Sequence, residues 1–384
     1  MNLKSPLRTR VYGSVEGIKA ERDGAQELVV RVSETNETRL ALNLTALNGI
    51  AISGDRVLLN TSAVDLGLGT GGLDLVIAVL REEFPLETPL GHLMKLRYTP
   101  HQHPVLAVES PESPSHDALL NFTSLEGLPV VCTGLHSQLP AVLAGAKWAW
   151  EQKEQKRELR SVYIMTDAAS LPIALSRLVP SLKAHDLLTH TITAGHAFGG
   201  DFEAINLYSA LAFAKEGLNA DLIVVGQGAG NAGTETPLGF SGIDQGQALN
   251  AVASLGGTPF AVARLSFADP RPRHYGLSHH TRTVLEKIVL APVIIPVPWL
   301  DNASLEEISD EIKALVFAGS KNKERHQVVP VRADEGLQAL RATGIEVTTM
   351  GRSIEEDRVF FLSAAAAGVL GGHQAEARGF EKTR

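Results

Sequence analysis

The sequence predicts an α/β fold: a Rossmann-like, open, mostly parallel sheet with helices on both faces, preceded by a small β-rich, barrel-like domain. Three observations lead there. From about residue 117, apolar strand-like runs alternate with helical stretches, the rhythm of a parallel sheet covered on both sides. Before residue 100 the apolar runs are short and punctuated by turn signals. Between them, Tyr98–Ser115 (YTPHQHPVLAVESPESPS) carries four prolines, which neither a helix nor a central strand accommodates.

Taken in order, residues 1–100 form the β-rich domain, with strands expected at Glu27–Val32, Arg39–Leu44, Arg56–Asn60 and Leu73–Val79. Asp23-Gly24, Asn48-Gly49 and Gly54-Asp55 mark its turns. Residues 101–116 form a connector, with one strand at Val105–Glu109. The α/β domain spans 117–370. Its expected strands are Pro129–Thr133, Ser161–Thr166, Leu188–Ala194, Ala220–Gly226, Pro259–Phe267, Pro292–Val297 and Gln327–Val331. Helices are expected at 140–156, 171–185, 202–216, 243–255, 281–289 and 355–370, with 371–384 a polar tail.

Composition narrows the function classes. The chain has 384 residues, 44% of them hydrophobic, and a formal charge of −8. A large core is possible, whereas nucleic-acid and anionic-membrane surfaces demand basic patches. An OB-like barrel would raise nucleic-acid binding, but residues 1–100 mix acids and bases and lack an aromatic stacking row. The single cysteine, Cys132, excludes an intrachain disulfide and suits a reducing cytoplasm. It lies inside an apolar strand and reads as inert core. The start has no signal-peptide pattern, and no apolar run reaches membrane-spanning length. A cytoplasmic homo-oligomer that binds a small molecule, and neither nucleic acid nor membrane, is the expectation.

In a parallel sheet, ligands bind outside the carboxyl ends of the strands, so the polar segments found there are the candidates. The first strand is followed by His136, with Ser137 placed to cap the next helix. After the second comes Asp167, where a rigid strand end would fix a catalytic carboxylate, and after the third His196. There Asp201 and Glu203 suit a helix start better than catalysis.

The fourth strand empties into GQGAGNAGTETPLGFSGID (Gly226–Asp244). This is neither a dinucleotide fingerprint nor a P-loop. Its length and glycines suit a loop that offers N–H groups to an anion, with Gly226, Gly228, Gly230, Asn231, Thr234 and Glu235 as ligand-binding candidates. Ser241 and Asp244 have capping-box spacing and read as structural. The fifth strand leads to RPRHYGLSHHT (Arg271–Thr281). Arg271 and Arg273 would clamp an anion, Tyr275 and Ser278 would line the pocket, and His279 or His280 would transfer protons. Adjacent histidines cannot share one helix face, so only one of His279 and His280 is expected at the site.

The segments HSQLPAV (136–142), MTDAASLPIALS (165–176), GHAFGGDFEAIN (195–206), GTETPLGFSGIDQGQALNAV (233–252) and HYGLSHHT (274–281) together resemble an uncharacterised bacterial family of unknown function, over nearly the whole chain. The resemblance implies a bacterial source but no reaction, cofactor or catalytic residue. On the residues alone, the leading reading is an enzyme, a hydrolase or transferase, acting on a small phosphorylated or nucleotide-like anion. Catalysis would use His136, Asp167, His196, His279 and His280 as acids and bases. A variant has the histidines and Asp167 holding a divalent metal. The alternative is a non-catalytic ligand-binding or oligomeric assembly protein.

Overall fold

A computed structural model describes residues 9–68, 71–81, 91–152, 157–299 and 326–381. The end of the helix expected at 140–156 and the first and last residues of the chain lie outside them. The chain divides into two compact units, Met1–Val105 and Leu106–Arg384.

The first unit is built on a closed five-stranded barrel of β1 (Arg10–Arg22), β2 (Ala25–Val32), β3 (Thr38–Leu44), β4 (Arg56–Asn60) and β5 (Asp74–Leu80). Its order is β1-β2-β3-β5-β4, with β4 returning to β1. Only β3 and β5 pair in parallel, which makes it a barrel of the OB type. Alternating residues such as Leu28, Val30, Val57 and Leu59 fill the interior. Strand β1 has no counterpart in the sequence reading, because Gly13 and Gly17 look like punctuation. Both glycines lie within a strand that bends through register shifts at Val15/Gly17 and Ile18/Ala20, and so reaches two partners. Short helices α1 (Thr45–Asn48) and α2 (Ser62–Asp65) join its strands. A hairpin of β6 (Leu93–Lys95) and β7 (His103–Val105) follows, so the connector's strand lies earlier than expected.

The second unit starts with α3 (His116–Leu120) and holds an eight-stranded sheet. Its strands are β8 (Pro129–Cys132), β9 (Ser161–Thr166), β10 (His190–Ala194), β11 (Phe202–Ala204), β12 (Leu222–Gln227), β13 (Thr258–Ala261), β16 (Ile294–Pro298) and β17 (Gln327–Val331). A separate hairpin pairs β14 (Leu265–Ser266) with β15 (Gly276–Leu277). The sheet order is β11-β10-β9-β12-β8-β13-β16-β17, and every pair is parallel.

The helices are α4 (Leu139–Glu151), α5 (Leu178–Ala184), α6 (Leu207–Glu216), α7 (Asp244–Ser254), α8 (His279–Thr283), α9 (Asp334–Ala342) and α10 (Arg358–Glu381). One face of the sheet, with Val131, Tyr163 and Val224, is covered by α4, α5, α9 and α10. The other, with Val130, Cys132 and Ile223, is covered by α6 and α7. Cys132 is fully buried, and burial pushes its thiol far up. None of the described helices is long and apolar enough to cross a membrane.

Several elements depart from the sequence reading. The strand expected at Pro259–Phe267 splits into β13 and, in the separate hairpin, β14. The helix at 171–185 becomes a short turn, Ile173–Leu175, followed by α5. Pro180 is tolerated only in a first turn, so the helix begins at Leu178. The helix at 202–216 gives up its start to β11, and Asn206 caps α6 by accepting from the Ser209 N–H at 3.0 Å. Helix α10 runs through most of the segment read as a polar tail, because Gln374–Ala377 are strong helix formers.

Topology fixes where the connections between strands part. From β8 the chain moves towards one edge through β9 and β10, with α4 and α5 on one face. It returns to β12 through α6 and then moves the other way through α7. Right-handed crossovers tie direction to face. The outgoing connections therefore diverge between β9 and β12, and again between β8 and β13. These are topological switch points, the places where open parallel sheets of this kind bind their ligands.

Candidate functional site

Two carboxylates meet at the β9/β12 switch point. Thr166 ends β9, Asp167 follows it, and Asp244 opens α7. The Thr166 hydroxyl donates to Asp244 Oδ2 at 2.6 Å. Burial pushes the Asp244 carboxyl up, Thr166 draws it back, and the charge of Asp167 pushes it up again, for a net rise. Asp167 is exposed and accepts the backbone N–H of His196 at 2.9 Å. Gly195 turns the chain there with φ +68°, and an added Cβ would collide with the Asp167 carboxylate. Glycine is thus what lets Asp167 lie against the β10 loop. His196 joins this cluster through its main chain.

His136 does not join it. Its Nε2 meets Ser176 Oγ at 2.7 Å and its Nδ1 meets Tyr163 Oη at 3.2 Å. Tyr163 in turn donates to the carbonyls of Gly226 and Gln227. Burial lowers His136 to about 4, against a smaller upward pull from the Gln227 backbone. At neutral pH it is an uncharged pin under the end of β12. Ser137 caps nothing: its hydroxyl reaches Thr349 at 3.4 Å. Gln138 replaces it, accepting the N–H groups of Gly134 and Leu135 at 3.0 and 3.1 Å. Asp201 is held in the loop before β11 by Lys183 and Thr191, and Glu203, within β11, by Thr193 and Gly199.

The glycine-rich loop closes on itself. Thr234 N–H donates to the Gly239 carbonyl at 2.7 Å, Ala232 N–H to Ser241 Oγ at 3.1 Å, and Ser241 N–H to the Ala232 carbonyl at 2.9 Å. These amides serve a hairpin and not an anion. Asn231 Oδ1 accepts from Gln227 Nε2 and from Ser241 Oγ, at 3.2 and 2.6 Å, tying the hairpin to β12. Gly226 and Gly228 are needed for packing, since a Cβ would strike Thr133 or Ser170, and Gly230 turns the chain at φ +89°. Ser241 and Asp244 form no capping box.

Three histidines converge after β13. His274 ends a short turn, Pro272–His274, and His279 and His280 open α8. Each offers a ring nitrogen, and the three nitrogens lie within 4.8 Å of one another. The expectation that only one of His279 and His280 faces the site is overturned. Helical side chains lean back towards the N-terminus, so both rings project over the preceding turn. Their centroids are 4.3 Å apart and each is 4.9 Å from His274. Burial, the neighbouring imidazoles and nearby arginines lower His274 and His280 to about 3. Burial and Arg273, then Arg264, lower His279. His280 stacks on Phe240 at 3.9 Å, so the glycine-rich loop packs against this cluster.

Ser278 is buried, caps α8 and meets His274 Nδ1 at 2.8 Å. Tyr275 is exposed, edge-on to Phe267.

The two arginines expected to clamp an anion have carboxylate partners. Arg271 makes a two-pronged pair with buried Asp269, at 2.9 and 2.7 Å. Arg273 pairs with Glu235 at 3.2 Å, and both are exposed.

A family model matches residues 40–368, from within β3 into α10. The chain belongs to DUF3866, a family of proteins of unknown function. No curated protein matches it. Every residue of both clusters lies inside the span that this DUF3866 protein shares with the family model.

Two residues of these clusters in the DUF3866 chain escape sequence reasoning. Asp244 looks like a cap and His274 lacks helical metal-ligand spacing; the signal available for the latter is the compact His-x4-His-His string. A third feature is the ion network beneath the histidines. Arg264, Arg271 and Arg352 surround Asp269, and Arg352 also reaches Asp357 at 3.0 Å. Burial pushes the Asp269 carboxyl up, but Arg271 and Arg264 overcome this and hold it far below the usual range. Asp269→Asn leaves these arginines short of a counter-charge and is expected to cost about 3–5 kcal/mol. Because the folded-state affinity for a proton is depressed, the stability is present at neutral pH and lost in acid. The deficit in urea unfolding should narrow only below about pH 4.

Proposed function

We propose that this protein is an enzyme acting on a small anionic molecule held along the carboxyl edge of its parallel sheet, with Asp244 as the acid–base group. The observation that carries this reading is the raised proton affinity of Asp244 at the β9/β12 switch point, beside exposed Asp167. A carboxyl perturbed by burial and a neighbouring charge is a functional-site candidate, and the switch point is where such sheets bind ligands.

The chemistry follows from the pair. A carboxyl whose proton affinity is raised by burial is suited to donate that proton to a leaving or carbonyl oxygen. The neighbouring Asp167 side chain is placed to accept a proton or orient a hydroxyl. Arg273 is the cation suited to the ligand's anionic end. Its partner Glu235 is exposed, and such surface pairs are worth on the order of 0–1 kcal/mol, so an anion displaces it at little cost. Arg271 is committed to Asp269, and His136 is committed to the core.

The test is conversion of a panel of nucleotides, sugar phosphates and small carboxylic acids, followed by mass spectrometry. The expected result is at least one compound consumed by the wild-type protein and spared by Asp244→Asn. A compound that stabilises the protein yet is recovered unchanged from both would replace this reading with non-catalytic binding.

A further inference from the structure

We propose that His274, His279 and His280 form a binding site for a zinc-class divalent metal ion, independent of the acid–base pair at the β9/β12 switch point. The geometry is the argument. Three ring nitrogens lie within 4.8 Å of one another, whereas imidazoles around tetrahedral zinc place their nitrogens roughly 3.3 Å apart, given bonds of about 2.0–2.1 Å. The difference is within reach of small rotations about the side-chain bonds of three neighbouring rings. Three imidazoles converging in a partly buried place call for a common partner between their nitrogens. A shared cation is such a partner.

A second observation points the same way. The Nε2 of His279 is buried and makes no hydrogen bond. A buried polar atom left without a partner costs on the order of 1–3 kcal/mol, and a lone pair on a metal removes that cost. Ser278 completes the arrangement. Ser278 Oγ lies 2.8 Å from His274 Nδ1; in the tautomer in which Nδ1–H donates to it, the Nε2 lone pair is free to ligate. This is the usual outer support of a metal-bound histidine.

The donor set selects the metal. Three neutral nitrogens suit zinc, cobalt or nickel and suit magnesium or calcium poorly. Among the described residues the cluster contains three ligands and no fourth, so the remaining position falls to water or to a ligand atom, as in catalytic and not structural zinc sites. The arginines beside it make that position attractive to an anion. His280 stacks on Phe240, so metal binding should also fix the glycine-rich loop.

The experiment uses the untagged full chain, stripped with chelator and titrated with Zn2+ and, separately, Co2+. The expected result is one ion per chain, with a cobalt visible spectrum of the intense, four-coordinate type. His279→Gln, checked for folding by circular dichroism, should lose stoichiometric binding. Ser278→Ala should weaken zinc by about 10–100-fold. Failure of the wild-type chain to bind either ion would overturn the proposal, as would a six-coordinate cobalt spectrum. Equal binding by a folded His279→Gln variant would do the same. If His279→Gln does not fold, the wild-type cobalt spectrum decides the matter alone.

Discussion

Asp244→Asn is expected to abolish turnover while making the protein more stable at neutral pH. Removing a positioned proton carrier costs on the order of 10²–10⁴-fold in rate. The gain in stability follows from linkage. The Asp244 carboxyl binds its proton more tightly in the folded chain than in the unfolded one. Its contribution is therefore fully present in acid and is lost as pH rises through the folded-state value. Asparagine keeps the side chain neutral at every pH, and its amide oxygen still accepts from Thr166. The thermal midpoint of the variant should exceed that of wild type at about pH 8, and the excess should shrink towards about pH 4. A group retained for chemistry at a cost in stability behaves this way. A purely structural Asp244 would give a variant that is less stable at every pH.

Gly368→Ala should destabilise the second unit sharply. Helix α10 crosses α4 at a seam of small residues. A Cβ at Gly368 would fall on the Val142 carbonyl, one at Gly372 would lie 2.5 Å from the Ala146 carbonyl oxygen, and one at Gly145 would lie 2.6 Å from that of Ala365. Two opposed effects decide the sign. Alanine in place of glycine favours a helix by about 1 kcal/mol. Forcing a methyl into filled space costs about 1–3 kcal/mol, and more when the obstacle is backbone that cannot rotate away. Here the obstacle is backbone and the loss wins. Urea unfolding should show a lower midpoint for Gly368→Ala and no folded state for Gly368→Leu. An unchanged midpoint would mean that the two helices are not in close backbone contact.

Much of the second unit is legible because each strand and helix carries its own period. Ser161–Thr166 and Gln327–Val331 are read to the residue, since buried parallel strands are continuous apolar runs. Strand β11 is not legible, because Phe-Glu-Ala has no strand signal until it lies against Ile192–Ala194. Strand β1 is hidden by glycines that serve curvature.

The strand ends are legible in the sequence, whereas the contacts made there are not. Asp167 and His196 are brought together, but through a main-chain N–H. The glycine-rich loop reads as an anion cradle because sequence does not reveal that its amides bond across a hairpin. Arg271 reads as a clamp because sequence does not bring Asp269 to its guanidinium. Asp244 reads as a cap because its partner, Thr166, is 78 residues away in the chain.

The most direct test of the account is the proton affinity of Asp244, followed by carboxyl-carbon NMR of protein labelled at aspartate, with Asp244→Asn identifying the resonance. The account predicts one aspartate that titrates above the ordinary range for that side chain and is missing from the variant. If the resonance lost in Asp244→Asn titrates at or below the ordinary range, the acid–base role assigned to the β9/β12 switch point is wrong.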